Sequence, residues 1–254
     1  MDEELILHLC MQAGCLLLRC GGETSRVEQT IAHLAVGAGA APGSIQSFVT
    51  PTGIFVSLTT DTGTITRLMR VSGPARMDLS KVTRINDLSR NLQWGAYTVA
   101  EALEELDRIE LSPPRYSQWV RLLAAAMSSG SFTIIMGGYP LDFLFGAAGG
   151  LLAQEITVWL TQYAPRFFAV LLAALGGSLL AVSSSAFGLT HHEGAIIIGA
   201  ILPLLPGLAV TNSIRDLLAG DLLAGVARGA EAIFTAAAIA VAVAVAIGIS
   251  PHLA

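Results

Sequence analysis

"GAILPLLPGLAVTNSIRDLL", Gly199 to Leu218, is apolar enough for a bilayer yet badly suited to an unbroken helix. Residues 194–214 carry no charge across 21 positions, close to the roughly 20 residues that cross a ~30 Å hydrocarbon core. Pro203, Pro206 and Gly207 fall in the middle of that run. Proline removes a backbone donor and clashes with the preceding turn. Two readings follow. One is a kink accommodated by neighbouring helices. The other is a broken span whose freed carbonyls and helix ends line a transport pathway near the midplane. Thr211, Asn212 and Ser213 then add side-chain hydrogen-bonding groups.

The flanking sequence extends this pattern in one direction only. Charged residues make up 13% of the 254 residues, about half the share usual in a soluble globular protein. Of the 33, 24 lie in residues 1–121. The switch comes near "SPPRYSQWVR", Ser112–Arg121, where Pro113 and Pro114 disfavour helix. The expected division is a domain over 1–114 and a membrane domain over 115–254.

Residues 167–189 and 232–249 are two more uncharged runs. "VRLLAAAMSSGSFTIIMGG" and "LDFLFGAAGGLLAQEITVWL" are interrupted by small residues and one Glu, but small residues let helices approach closely in lipid. The expectation is five transmembrane helices. Arg115, Arg121, Arg166, Arg215 and Arg228 flank the spans on one side, whereas "GGYPLD", "LTHHEG" and the tail "SPHLA" hold no Lys or Arg. The positive-inside rule then puts the N-terminal domain in the cytoplasm and the C-terminus outside. "MDEELILHLC" starts acidic with apolar residues at helical spacing, so no secretory signal is expected.

The front half reads as α+β in the order ααβββαα. Leu5, Leu9, Ala13, Leu16 and Cys20 recur at helical period before Gly21 and Gly22. In "GGETSRVEQTI", Gly21–Ile31, Ser25 and Glu28 stand as a capping box would, and Val27, Ile31 and Leu34 form one stripe. "SIQSFVT", "GIFVSLTT" and "GTITRLMRV" are strands, with Ile54, Val56 and Leu58 facing one way and "TDTG" as a hairpin turn. After Pro74, Asp78 or Ser80 caps a helix to about Leu92, and another runs from Thr98 to Ile109.

Composition and spacing disfavour several chemistries. A net charge of −5 disfavours a nucleic-acid partner. Cys10, Cys15 and Cys20 are five apart, about 140° around a helix, and share no face; they read as free thiols. His191, His192 and Glu193 could hold a metal, but an exposed loop explains them better. One Asp-Thr-Gly needs a second copy for a protease dyad, and a strand turn favours those residues anyway. Glu23, Arg26 and Asp61 would be the set for a membrane-anchored enzyme, provided they meet in space. Glu155, inside the second span, is a candidate coupling carboxylate or an interfacial residue eased by Gln154 and Thr157. No cofactor is called for.

Two stretches resemble the threonine/serine exporter family. "CGGETSRVEQTI" is similar to the family's N-terminal signature, here Glu23, Ser25, Arg26 and Glu28. "LPLLPGLAVTNSIRDLLAGDLLAGVARGAEA", Leu202–Ala232, resembles its proline–glycine segment, Arg-Asp pair, Gly-Asp and entry into the last span. The resemblance implies a subunit of an exporter of serine, threonine or small dicarboxylates such as succinate, driven by an ion gradient in a bacterial inner membrane. The chain stops at His252, Leu253 and Ala254, without a second hydrophobic half. It therefore resembles the larger subunit of a two-component form, with a separate shorter membrane protein of about five spans as partner in an oligomer. On that resemblance Pro206, Gly207, Arg215 and Asp216 line the pathway, with Arg215 attracting a substrate carboxylate or pairing with Asp216. Asp221 and Glu231 would carry protons. An ordinary cytoplasmic loop is the competing account of Arg215 and Asp216, and a purely structural or regulatory membrane subunit is the competing account of the chain.

Overall fold

The computed structural model describes residues 3–61, 63–72 and 77–249. Two compact units emerge. The first comprises Met1–Arg115 with Thr211–Gly229, and the second Tyr116–Val210 with Ala230–Ala254.

In the first unit, α1 (Glu3–Arg19) and α2 (Thr24–Gly37) precede β1 (Ile45–Thr50), β2 (Gly53–Thr60) and β3 (Gly63–Arg70), and α3 (Leu79–Gln93) and α4 (Val99–Leu111) follow. The strands form one antiparallel sheet in the order β1-β2-β3, with Val49 opposite Ile54 and Phe55 opposite Leu68. Period-two alternation turns Ile54, Val56 and Leu58 into a core with Leu9, Ala13, Val27, Ile31, Leu34, Ile85 and Leu106. Asp78 caps α3 through the Ser80 and Lys81 amides, and Thr98 caps α4 with Glu101 in a reciprocal box. Thr60 and Gly63 close the β2–β3 hairpin. Thr62 of "TDTG", Pro74 and the tail "SPHLA" lie outside the described residues.

The expected cap of α2 is different. The helix begins at Thr24, so Ser25 lies inside its first turn, and Glu23 at the cap position makes no side-chain capping bond. Glu28 Oε1 instead accepts from the Val49 amide at 3.1 Å, tying α2 to β1.

The cysteines are free, and Cys10 and Cys20 are buried. Burial pushes the Cys10 thiol up to about 12. At pH 8 the folded protein is expected to leave Cys10 unmodified by a maleimide, with labelling appearing on unfolding. Mass spectrometry of labelled peptides checks this; rapid labelling of Cys10 under native conditions would contradict the burial.

The second unit is helical, with α5 (Gln118–Ile135), α6 (Pro140–Leu160), α7 (Arg166–Ala186) and α8 (Glu193–Ile201). A 3-10 turn, Leu202–Leu204, holds Pro203, and the chain breaks at Leu205 and Pro206 before α9 (Gly207–Ala219). The last helix, α10, runs Leu222–Ile249. Among the described residues, α6, α7 and α10 are long and apolar enough to span, and the bent pair α8–α9 makes a fourth if taken as one span. The sequence led us to expect five. By hydropathy α5 falls short, because Gln118, Arg121, Ser128, Ser129 and Ser131 dilute its apolar residues.

Candidate functional site

In the first unit, the turn after α1 meets the hairpin made by the C-terminal part of α9 and the start of α10. Gly21 ends α1 with φ +91°, a conformation glycine adopts without a Cβ penalty. The turn leaves the Gly21 and Gly22 carbonyls and the first amides of α2 in search of partners. The hairpin supplies them. Asn212 Nδ2 donates to the Gly21 oxygen at 3.3 Å, and Arg228 Nη2 donates to the Gly22 oxygen at 2.8 Å. Asp216 Oδ1 accepts the Thr24 amide at 3.2 Å, and Oδ2 accepts the Thr24 hydroxyl at 3.3 Å. Asp216 is thus the cap of α2, supplied 192 residues away along the chain, and a carboxylate at a helix N-terminus also meets the positive end of the macrodipole.

Asp216 is 1% exposed. Its charge is compensated by Arg228, whose Nε stands 3.3 Å from Oδ2 and whose side chain is 11% exposed. The neighbouring Arg215 takes another direction. Its side chain is largely exposed and pairs with Glu23, not with Asp216. Of the two alternatives for Arg215, pairing with Asp216 is replaced by two crossed pairs. Adjacent helical residues point about 100° apart, which permits this.

The hairpin is tight. Ser213 Oγ donates to the Gly225 oxygen at 2.7 Å. A Cβ on Gly225 would lie 2.6 Å from Leu217 Cγ, and one on Gly229 would lie 2.8 Å from Ser213 Oγ. The turn residue Asp221 is partly buried. Burial, and secondarily the charge of Asp216, push its carboxyl above the ordinary carboxylate range. Glu28 is raised as well, by burial first and by Asp221 last, against a lowering by its bond to Val49.

A carboxyl raised in the folded state holds its proton better folded than unfolded. The stability that Asp221 and Glu28 contribute is fully present below the unfolded value of about 4 and is lost as pH rises through the folded value. Asp221→Asn is expected to raise the thermal midpoint at neutral pH and to converge with the wild type in acid. Calorimetry between acid and neutral pH reads this; a lower midpoint for Asp221→Asn at neutral pH would refute it.

The remaining sequence-singled residues scatter. Thr211 and Gly207 are exposed on α9, while Pro203 and Pro206 are partly buried around the break, where the Val210 amide bonds to the Pro206 oxygen at 3.0 Å. Glu231 is exposed on α10 and stands 3.8 Å from Arg166. Glu155 is partly buried in α6 and joins no ion pair among the described residues. Ser25 is partly buried and Arg26 is exposed. Asp61 follows the end of β2, whereas Glu28 binds at Val49, opposite the start of β2. The length of β2, roughly 20 Å, separates the two regions. Glu23, Arg26 and Asp61 therefore do not form the cluster an enzyme reading needs. No group of three or more metal-binding side chains occurs among the described residues.

Reading the sequence alone singled out Asp216 but missed Thr24, and it used Arg228 only for orientation. Asp216 and Arg228 sit 12 positions apart across a glycine turn. That spacing becomes a contact only once the helices double back.

Comparison with known proteins gives the family rather than the site. The family model described as "Putative threonine/serine exporter" matches residues 8–250. The chain is 24% identical over 235 residues to "Probable threonine/serine exporter" of Mycobacterium tuberculosis, covering 92% of this chain and 44% of that one. It is 25% identical over 232 residues to "Threonine/serine exporter" of Corynebacterium glutamicum, covering 88% and 47%. It is also 20% identical over 236 residues to "Probable succinate transporter subunit YjjP" of Klebsiella aerogenes, covering 90% and 88%. The chain thus spans less than half the length of the first two relatives. No solved structure matches it. With its apolar helices, the chain is a multi-pass membrane protein, and it belongs to the threonine/serine exporter family.

Proposed function

We propose that the chain is a subunit of an ion-gradient-driven exporter of serine and threonine, or of small dicarboxylates such as succinate, in a bacterial inner membrane. Residues 1–114 form a cytoplasmic domain. Residues 115–254 form a membrane domain of five spans, with α5 counted as the first and α8–α9 as a broken fourth. The C-terminus is extracytoplasmic, and a separate shorter membrane protein of about five spans completes the transporter. The observation that carries this reading is the family match over residues 8–250. The near full-length coverage of a relative named as a transporter subunit supports the two-component form.

In this reading the broken α8–α9 pair, with Pro203, Pro206, Gly207, Thr211 and Asn212, lines the pathway. Arg215 attracts the substrate carboxylate, since its side chain is largely exposed although it touches Glu23. Asp216 is the anchor that holds the hairpin on α2. Asp221, with its raised carboxyl, is the first candidate to carry a proton; Glu155 and Glu231 are the others.

The test is export of labelled serine, threonine and succinate from cells with and without a co-expressed five-span partner. Substrate-dependent export that needs this chain is expected. Arg215→Gln, in correctly inserted protein, is expected to lower it severalfold. No export under any pairing would overturn the transporter reading, and unchanged export by Arg215→Gln would remove Arg215 from the pathway.

A further inference from the structure

Asp142 and Asp216 are the two buried carboxylates among the described residues. Asp216 is accounted for by α2 and Arg228. Asp142 lies in the second unit, in the first turn of α6, and is 2% exposed. Among the described residues, no Lys or Arg pairs with it. Its Oδ2 accepts the Tyr139 amide at 2.7 Å and faces His192 Nδ1 at 3.0 Å, and its Oδ1 accepts the Thr190 hydroxyl. Thr190 Oγ1 in turn accepts the His192 amide at 3.2 Å. The Tyr139 and His192 rings meet edge-on, with centroids 4.7 Å apart and planes at 71°. The cluster therefore ties the segment between α7 and α8 to the segment between α5 and α6.

Of Asp142's three donors, only the imidazole can take up a further proton and become positively charged. An imidazole that donates through Nδ1 has Nε2 left to take a proton, and the His192 side chain is 34% exposed. Protonation turns a buried carboxylate with a neutral donor into an ion pair. The other charges of the unit stand away from the cluster. Arg121 in α5 and Arg166 in α7 lie at the starts of their helices, Glu231 lies within the first half of α10 beside Arg166, and Glu155 lies in the later part of α6. Asp142 and His192 instead sit beyond the ends of α5 and α7 and at the starts of α6 and α8. Among the described residues, His191 and Glu193 flank His192 on its own segment and, with Tyr139, complete the titratable groups at that end; His252 of the tail lies outside the described residues. The loops there hold no Lys or Arg, as the positive-inside rule requires of the outer face.

We propose that Asp142 and His192 form a proton-binding site at the extracytoplasmic end of the membrane domain, where a proton taken from outside locks the two connecting segments together. The placement and the coupling rest on the exporter reading above; the pair itself does not. His192 is the proton acceptor, and Asp142 is its positioning residue.

Two measurements separate the site from the transport reading. In the first, the purified protein carries 15N-labelled histidine, and the His192 ring signals are identified by their loss in His192→Gln. Neutral His192 is expected to show the Nδ1–H tautomer, and Asp142→Asn is expected to abolish that preference. A neutral His192 protonated on Nε2, or a ring spectrum indifferent to Asp142→Asn, would overturn the site whether or not the protein transports anything. The second measures export of labelled serine, threonine and succinate against external pH at fixed internal pH. The wild type is expected to vary with external pH, and His192→Gln is expected to lose that dependence while still exporting. A wild-type profile retained by His192→Gln would overturn the coupling. If no protein exports any of the three, the exporter reading fails and with it the coupling, while the nitrogen spectra still decide the pair.

Discussion

Arg228→Ala is expected to destabilise the first unit by about 3–5 kcal/mol, the cost of leaving a buried charge without its partner. Asp216 is 1% exposed and cannot recover the lost interaction from water. The Gly22 carbonyl loses its donor in the same step. Arg215→Ala removes the same charge from the next ion pair, but that side chain is largely exposed, so the expected cost is about 0–1 kcal/mol. Denaturant titration with maleimide capture of Cys10 reads the first unit specifically, because that thiol is reached only when the unit opens. Combining Arg228→Met with Asp216→Asn is expected to recover much of the loss, since the asparagine still accepts from the Thr24 amide and no charge is stranded. Equal effects of Arg228→Ala and Arg215→Ala would show that burial is not what makes the Asp216–Arg228 pair matter.

Gly150→Ala carries the second large effect, in the other unit. A Cβ at Gly150 would stand 1.9 Å from Ser129 Oγ and 2.4 Å from Ser129 Cβ, so α5 and α6 would have to part. Overpacking of this kind costs about 1–3 kcal/mol or more, and lipid offers no compensating burial because it is as apolar as the interface it replaces. The same interface recurs at Gly146, whose added Cβ would lie 2.0 Å from Thr133 Oγ1. Ser129→Gly in the Gly150→Ala background removes the obstructing atoms and is expected to restore folding. Ser129 Oγ has no hydrogen-bond partner among the described residues, so its removal leaves no donor stranded. Gly194→Ala is the control, with nothing within 4 Å of its added Cβ. Thermal aggregation of the detergent-solubilised protein ranks the three variants against the wild type. A Gly150→Ala protein as stable as Gly194→Ala would refute the close approach.

Much of the first unit was legible because its signals are local. Alternation at Ile54, Val56 and Leu58, the helical stripe at Val27, Ile31 and Leu34, and the helix starts near Asp78 and Thr98 each act over fewer than ten residues. The capping box at Ser25 and Glu28 misled for a related reason. The spacing was right, but two distant groups competed for its atoms. Asp216 took the helix end, and the Val49 amide took Glu28. Hydropathy made three spans plain and left α5 below the threshold, since small polar residues that suit helix packing also lower apparent hydropathy.

The sequence by itself determined a charged α+β front half, an apolar rear half and a proline break at Pro203 and Pro206. Those follow from composition and from periodicities of two and 3.6 residues. The tertiary structure alone decided which charges meet. Arg215 turns to Glu23, Asp216 to Thr24 and Arg228, and Asp142 to Thr190 and His192. Buried charges and polar groups have to be partnered wherever a partner can be found, and the fold finds one up to 206 positions away in the case of the Arg228 bond to the Gly22 carbonyl.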